Sequence, residues 1–138
     1  MIVLDTNVIS SQMVRTRDFI VLEWLNQFEP DDLYLTSITI AELYFGALIV
    51  PEANRREALL RAITRLTEAY KNRIYSFSES SSQKYGQVTS SRRLSGRPIE
   101  TKDAMIASIC LINNAALATR NTWDFEGLDL KLINPFEA

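Results

Sequence analysis

Residues 1–10 read Met1-Ile2-Val3-Leu4-Asp5-Thr6-Asn7-Val8-Ile9-Ser10, an apolar run that stops on an acid. Ile2-Val3-Leu4 has the short, continuously apolar pattern of a strand buried on both faces. Asp5, Thr6 and Asn7 are all good turn formers or helix caps, so the strand ends at the acid. Asp5 therefore stands where the backbone leaves the core. It either caps a helix beginning near Thr6 or serves chemistry there.

The same alternation continues downstream. Val21, Leu22, Leu25 and Phe28 repeat at helical spacing behind Asp18 as cap, and Pro30-Asp31-Asp32 marks a turn. Leu33 to Thr36 reads as a second strand, followed by a helix from about Ile38 to Ile49. Pro51 ends it and suits the first turn of the next helix, which reaches about Lys71. Ile74 to Phe77 reads as a third strand. Ser78 caps a helix reaching Arg93, Gly96-Arg97-Pro98 is a break, and Ile99 to Asn113 is a further helix. Ala115 to Thr119 is a strand, Asn121 to Gly127 a loop, and Leu130 to Ile133 a last strand. Short apolar strands alternating with amphipathic helices predict an α/β fold, a central parallel sheet flanked by helices on both faces. Such sheets bind ligands beyond the carboxyl ends of their strands, which puts Asp5 and the Thr119–Asp124 segment on one edge.

A length of 138 residues suits one domain spanning residues 1–138. The chain has no histidine and a single cysteine, Cys110. Those counts exclude an internal disulfide, a cysteine-based zinc site and a histidine base. Cys110 lies on an apolar helix face and reads as core. A net charge of −2 gives no general footprint for nucleic acid. Local basic patches exist at Arg15 with Arg17, at Arg92-Arg93 with Arg97, and at Arg120. No basic region precedes the first strand, and the longest apolar run, Ala104 to Ile112, is too short to span a bilayer, so a cytoplasmic location is expected with no membrane contact.

Three further acids stand in unusual places. Asp103 shares a helix face with Ile99, Ile106, Ala107 and Cys110, where an ionised carboxylate needs a partner or takes up a proton. Its alternative role is a helix-start charge near the dipole. Glu42 is flanked by Ile38, Phe45, Gly46 and Ile49; Thr39 to Glu42 also fits a capping box, unless Thr36 or Ser37 is the cap. Asp124, between Trp123 and Phe125, alone reads as a turn residue. Several carboxylates without a histidine suit a hard divalent cation, Mg²⁺ or Mn²⁺, which activates water and stabilises a phosphoryl transition state. No phosphate-binding glycine loop, dinucleotide fingerprint or serine elbow occurs.

Taken together, these blocks resemble the PIN-domain ribonucleases. Ile2 to Ser10 resembles the family's opening, Thr39-Ile40-Ala41-Glu42-Leu43 its second motif, Pro98-Ile99 with Asp103 to Ala107 its third, and Ala118 to Phe125 its fourth. The likeness is strongest to the VapC toxin branch of type II toxin–antitoxin pairs, in a FitB-like form, and covers nearly the whole chain. The resemblance implies a PIN-like fold and cleavage of RNA dependent on Mg²⁺ or Mn²⁺. It matches Asp5, Glu42 and Asp103 to the family's acidic, metal-binding triad, and divides the fourth position between Asp124 and Asn121. Thr6, Asn7 and Thr119 would orient ligands or water, and Arg120 would meet a phosphate. It further implies a homodimer and a small antitoxin whose C-terminal segment covers the active site, with operator DNA bound only through the antitoxin. The alternative is a catalytically weak PIN module acting through antitoxin and operator. An aspartate-based phosphatase also places Asp after its first strand, but its second Asp is replaced here by Asn7.

Overall fold

A computed structural model describes residues 1–138. Five strands, β1 (Ile2–Leu4), β2 (Leu33–Thr36), β3 (Ile74–Tyr75), β4 (Ala116–Ala118) and β5 (Leu132–Ile133), form one sheet in the order β3-β2-β1-β4-β5. Every pairing is parallel, as expected of apolar strands separated by helices. The helices are α1 (Thr6–Met13), α2 (Phe19–Leu25), α3 (Ser37–Leu48), α4 (Ala53–Ala69), α5 (Glu79–Leu94) and α6 (Thr101–Ile112).

The two-residue period of the strands divides the core. Ile2, Leu4 and Leu35 join Val8, Trp24, Leu43 and Ile63 on the face covered by α1 to α4. Val3 and Leu117 point the other way, against Ile106, Ala107, Cys110 and Phe125 under α6. Helix α5 packs against α6. Cys110 is fully buried there, and burial pushes its thiol pKa up, as expected of core.

Several boundaries are tighter than the sequence suggests. Strand β3 stops at Tyr75 because its partner in the ladder, Thr36, turns at once into the cap of α3. Strand β5 starts only at Leu132; the Leu130 N–H bends back to the Leu128 carbonyl. Pro51 stays outside α4, whose cap is Glu52, accepting the Asn54 and Arg55 N–H groups. Ile99 likewise lies outside α6, behind the cap residue Glu100. Within the stretch read as a loop, Thr122–Phe125 forms a 3₁₀ turn.

Candidate active site

The sheet order fixes where a site can form. From β1 the chain moves to β2 and β3 on one side, then crosses to β4 on the other. The crevice at a topological switch point lies beyond the ends of β1 and β4. Asp5 and Thr119 are the first residues past those two ends. The Asp5 N–H donates to the Ala118 carbonyl at 2.9 Å. Its carboxylate, 6% exposed, accepts the Thr6 N–H on Oδ1 and the Thr119 hydroxyl on Oδ2, each at 2.8 Å. The helix-cap reading of Asp5 is thus met, and its carboxylate is held in a fixed orientation at the end of β1.

Thr36 caps α3, accepting the Thr39 N–H, so Thr39 to Glu42 is not a capping box and Glu42 lies inside the helix. Its Oε1 accepts the Thr6 hydroxyl at 2.7 Å, and the Lys102 ammonium stands 4.0 Å from Oε2. Buried Thr39 shares its hydroxyl with Thr6 at 3.1 Å. Lys102 was not singled out by the sequence, although it adjoins Asp103, and Thr39 was read there only as a capping and motif residue one turn before Glu42.

Asp103 is half-buried in the first turn of α6. Burial raises its pKa to about 7, helped by repulsion from Asp5, Glu100, Asp124 and Glu42. Burial also raises Asp5, against its two hydrogen bonds, with repulsion from Glu42 and Asp124 adding to the rise. These mutual effects place all four acids in one electrostatic neighbourhood. Asp124 itself is exposed on the 3₁₀ turn, and its carboxylate makes no hydrogen bond.

The supporting polar residues converge on Thr119. Its hydroxyl takes the Asn121 N–H at 3.1 Å and the Asn7 amide at 3.4 Å while donating to Asp5. Asn7 also accepts the Arg120 N–H. Asn121 contributes through its backbone. The exposed Arg120 guanidinium stacks 3.8 Å from the Phe136 ring centre.

Arg92 departs from its reading as part of a surface basic patch. It is 6% exposed, and its guanidinium donates to the carbonyls of Arg97, Asp124 and Glu126 at 2.7, 3.1 and 3.2 Å. It therefore clamps the turn that carries Asp124. The available signal was its spacing: Ser81, Val88 and Arg92 fall on the inward face of α5. On the opposite flank, α1, α3 and α4 enclose a groove of about 740 Å³ that reaches Thr6 and Glu42. Leu43, Ala47, Leu59 and Ile63 line it, and Arg15, Arg55 and Arg65 rim it.

The donor set is entirely oxygen, which suits Mg²⁺ or Mn²⁺ rather than zinc. No three carboxylates close tightly on one point. Mg²⁺ keeps several waters and needs only one or two carboxylates directly, so a spread set fits it. Burial first, and repulsion among the acids second, raise the pKa values of Asp5 and Asp103, and a divalent charge bound there would offset both.

The PIN domain family model matches residues 2–129. The plasmid stability protein StbB of Pseudomonas syringae pv. tomato is 39% identical over 139 residues, covering 100% of both chains. The VapC ribonuclease Y4jK of Sinorhizobium fredii is 36% identical, and the toxin FitB of Neisseria gonorrhoeae 31%, each over 99% of both chains. Among solved structures, FitAcB from Neisseria gonorrhoeae superposes with a TM-score of 0.95 at 30% identity, covering 100% of both chains. FitAB bound to an IR36 DNA fragment gives 0.93 at 30% identity, covering 99% of this chain and 96% of that one.

Proposed function

The chain belongs to the PIN-domain family, and we propose that it is a metal-dependent endoribonuclease, the toxin of a type II toxin–antitoxin pair acting in the cytoplasm. The observation that carries this reading is Asp5 and Glu42 joined through Thr6 just beyond the end of β1, with Asp103 and Asp124 near enough to add to the rise in the Asp5 and Asp103 pKa values or to receive it. The names of the relatives Y4jK and FitB support it.

In this reading Asp5 is the fixed anchor, both oxygens oriented by Thr6 and Thr119. Asp103 and Glu42 complete the metal-binding set, with Glu42 held by the Thr6 hydroxyl. A bound Mg²⁺ or Mn²⁺ would sharpen a water for attack on phosphorus and spread the charge building on the phosphoryl oxygens. Asp124, free of side-chain partners, orients that water. Asn7 and Asn121 keep Thr119 in place, and Arg120 faces the substrate's phosphates. In that step the water oxygen would bond to phosphorus and give its proton to solvent, while the bond to the ribose oxygen breaks and that oxygen takes a proton from solvent. The test is cleavage of cellular RNA by the chain freed of any partner. Cleavage is expected with Mg²⁺ or Mn²⁺, and not with EDTA, Asp5→Asn or Asp103→Asn. Undiminished cleavage in EDTA or with either substitution would overturn the assignment.

The groove supports the partner reading. Its apolar wall suits the C-terminal segment of a small antitoxin, and its end at Glu42 lets a basic side chain of that segment reach the acids. Operator DNA is then bound through the antitoxin. Exposed Phe45 and Leu48 on α3, with Ile49 at its C-cap, support a homodimer, since a lone chain leaves this apolar face in water. Removing the antitoxin's C-terminal segment should release cleavage, and light scattering of the toxin alone should give twice the chain mass.

A further inference from the structure

Trp123 is 67% exposed on the same 3₁₀ turn as Asp124, whereas the other tryptophan, Trp24, is 6% exposed in the core. A large aromatic surface left in water beside a reactive site calls for an occupant. Its support is unusually firm. The 3₁₀ turn that carries it is clamped by buried Arg92 through the Asp124 and Glu126 carbonyls. The Arg97 guanidinium stacks on one ring face, 4.0 Å from the centre, donates to the Trp123 carbonyl and pairs with Glu126 at 3.8 Å. With one face taken by Arg97, so large an exposed fraction requires the other face to be open. Trp123 is also tied to the reacting centre. The Asp5 carboxylate bonds Thr119, Thr119 bonds the Asn121 N–H, and Trp123 follows two residues later.

We propose that the open face of Trp123 is a stacking platform for one unpaired nucleobase of the RNA, the base next to the phosphodiester held at the acids. Three observations favour a base over a protein side chain. The ring is a flat, rigid surface held in advance, which is what base stacking uses. The cation behind the ring draws the substrate's negative backbone toward an otherwise acidic corner. The flank built for protein, the apolar groove, lies elsewhere, among α1, α3 and α4. The platform reads a base by its π face, so it selects single-stranded RNA over duplex without demanding one letter.

This inference rests on the ribonuclease reading, and the experiment separates the two. The probes are a short single-stranded oligo-adenylate RNA and the same strand with abasic sites. The protein is the full chain carrying Asp5→Asn, so that the strand survives. Binding of oligo-adenylate should quench emission from exposed Trp123 while buried Trp24 is spared. Trp123→Ala should weaken binding by about five- to 150-fold, the range for loss of one stacked base. Trp123→Phe should recover most of the loss, and the abasic strand should bind both proteins equally weakly. Equal binding of oligo-adenylate with and without Trp123, or equal binding of the intact and abasic strands, would overturn the platform while leaving the nuclease reading standing. A Trp123→Ala protein that loses dimer mass or antitoxin affinity but binds RNA unchanged would assign the ring to a protein contact and overturn it too. Failure of the parent protein to bind any RNA would remove both readings together.

Discussion

The acids lie between two unlike walls. On one side α1, α3 and α4 leave an apolar groove lined by Leu43, Ala47, Leu59 and Ile63, with arginines at its rim and Glu42 at its end. On the other, the Thr122–Phe125 turn is held by a buried arginine through the Asp124 and Glu126 carbonyls and presents one exposed tryptophan. The first wall is built by side-chain packing and suits a partner that brings its own apolar face. The second is built by directed hydrogen bonds and suits a substrate that must be placed to within an ångström or so of the acids. Asp5 belongs to neither wall. It is fixed by the ends of β1 and β4 and by the start of α1, so in the proposed reading partner and substrate would meet on ground that the sheet defines.

The sharpest way to break this picture is to remove the centre and leave both walls. Asp103→Asn should reduce RNA cleavage by about a hundred-fold or more, the scale of losing one charge-stabilising group at a reacting centre. The antitoxin complex should still form, as size-exclusion chromatography would show. Loss of the complex as well would mean that the groove and the centre are one binding unit.

Next comes the braced wall. Arg92→Met removes a buried guanidinium and leaves three carbonyls without it. The expected destabilisation is about 2–4 kcal/mol, read by urea unfolding. Cleavage by the remaining folded protein should fall, because Asp124 is freed with the turn, while antitoxin affinity stays near wild type. A turn that needs no brace would leave both stability and cleavage unchanged. The opposite wall is probed with Ala58→Glu, on an exposed residue of α4 lining the groove. An acid there should weaken antitoxin binding by about ten-fold, roughly 1.4 kcal/mol, with the rate of RNA cleavage unchanged. If Ala58→Glu slowed cleavage and Arg92→Met weakened the antitoxin, the division of labour between the walls would be reversed.

How much of this was legible depends on how local the cause is. The β1–Asp5 junction was legible, because an apolar run ending in Asp-Thr-Asn states both a strand and its end. The order of elements and the parallel sheet were legible from the alternation of strand-like and helix-like segments. The apolar setting of Asp103 was legible, because Ile106, Ala107 and Cys110 share its helix face, and all three are buried. Glu42 was ambiguous for a physical reason: Thr36, Ser37 and Thr39 are all good caps, and only the end of β2 at Thr36 selects among them. Arg92 could not be read as a clamp, since the carbonyls it serves come from residues 97, 124 and 126 and meet only in the folded chain. The ends of β3 and β5 were set by their ladder partners and by a backbone bend, neither of which is a local property. The groove needs three helices in contact, so no single stretch of sequence announces it.

The smallest expected effect concerns the centre before a cation reaches it. In metal-free protein Asp103 has its pKa raised from 3.8 to about 7, chiefly by burial and then by Asp5. The folded state thus binds a proton that the unfolded state has already lost between those two values. Its contribution to stability is fully present below about pH 4 and is lost as pH rises through about 7, with Asp5 acting in the same direction. Glu52 works the opposite way: two N–H groups hold its carboxyl below the usual range, so a whole-protein profile mixes both signs. Asp103→Asn isolates the effect, because the amide keeps the shape and never ionises. In EDTA, the melting temperature of the parent chain should fall relative to Asp103→Asn between pH 5 and about 7.5. Added Mg²⁺ should raise the parent more at the higher pH, where the carboxylates are ionised and ready to bind, and should raise Asp103→Asn little. Parallel profiles for the two proteins in EDTA would mean that Asp103 is solvated and charged in the free protein. The centre would then be an open acidic patch, and the contrast between a rigid sheet-defined centre and its two walls would lose its middle term.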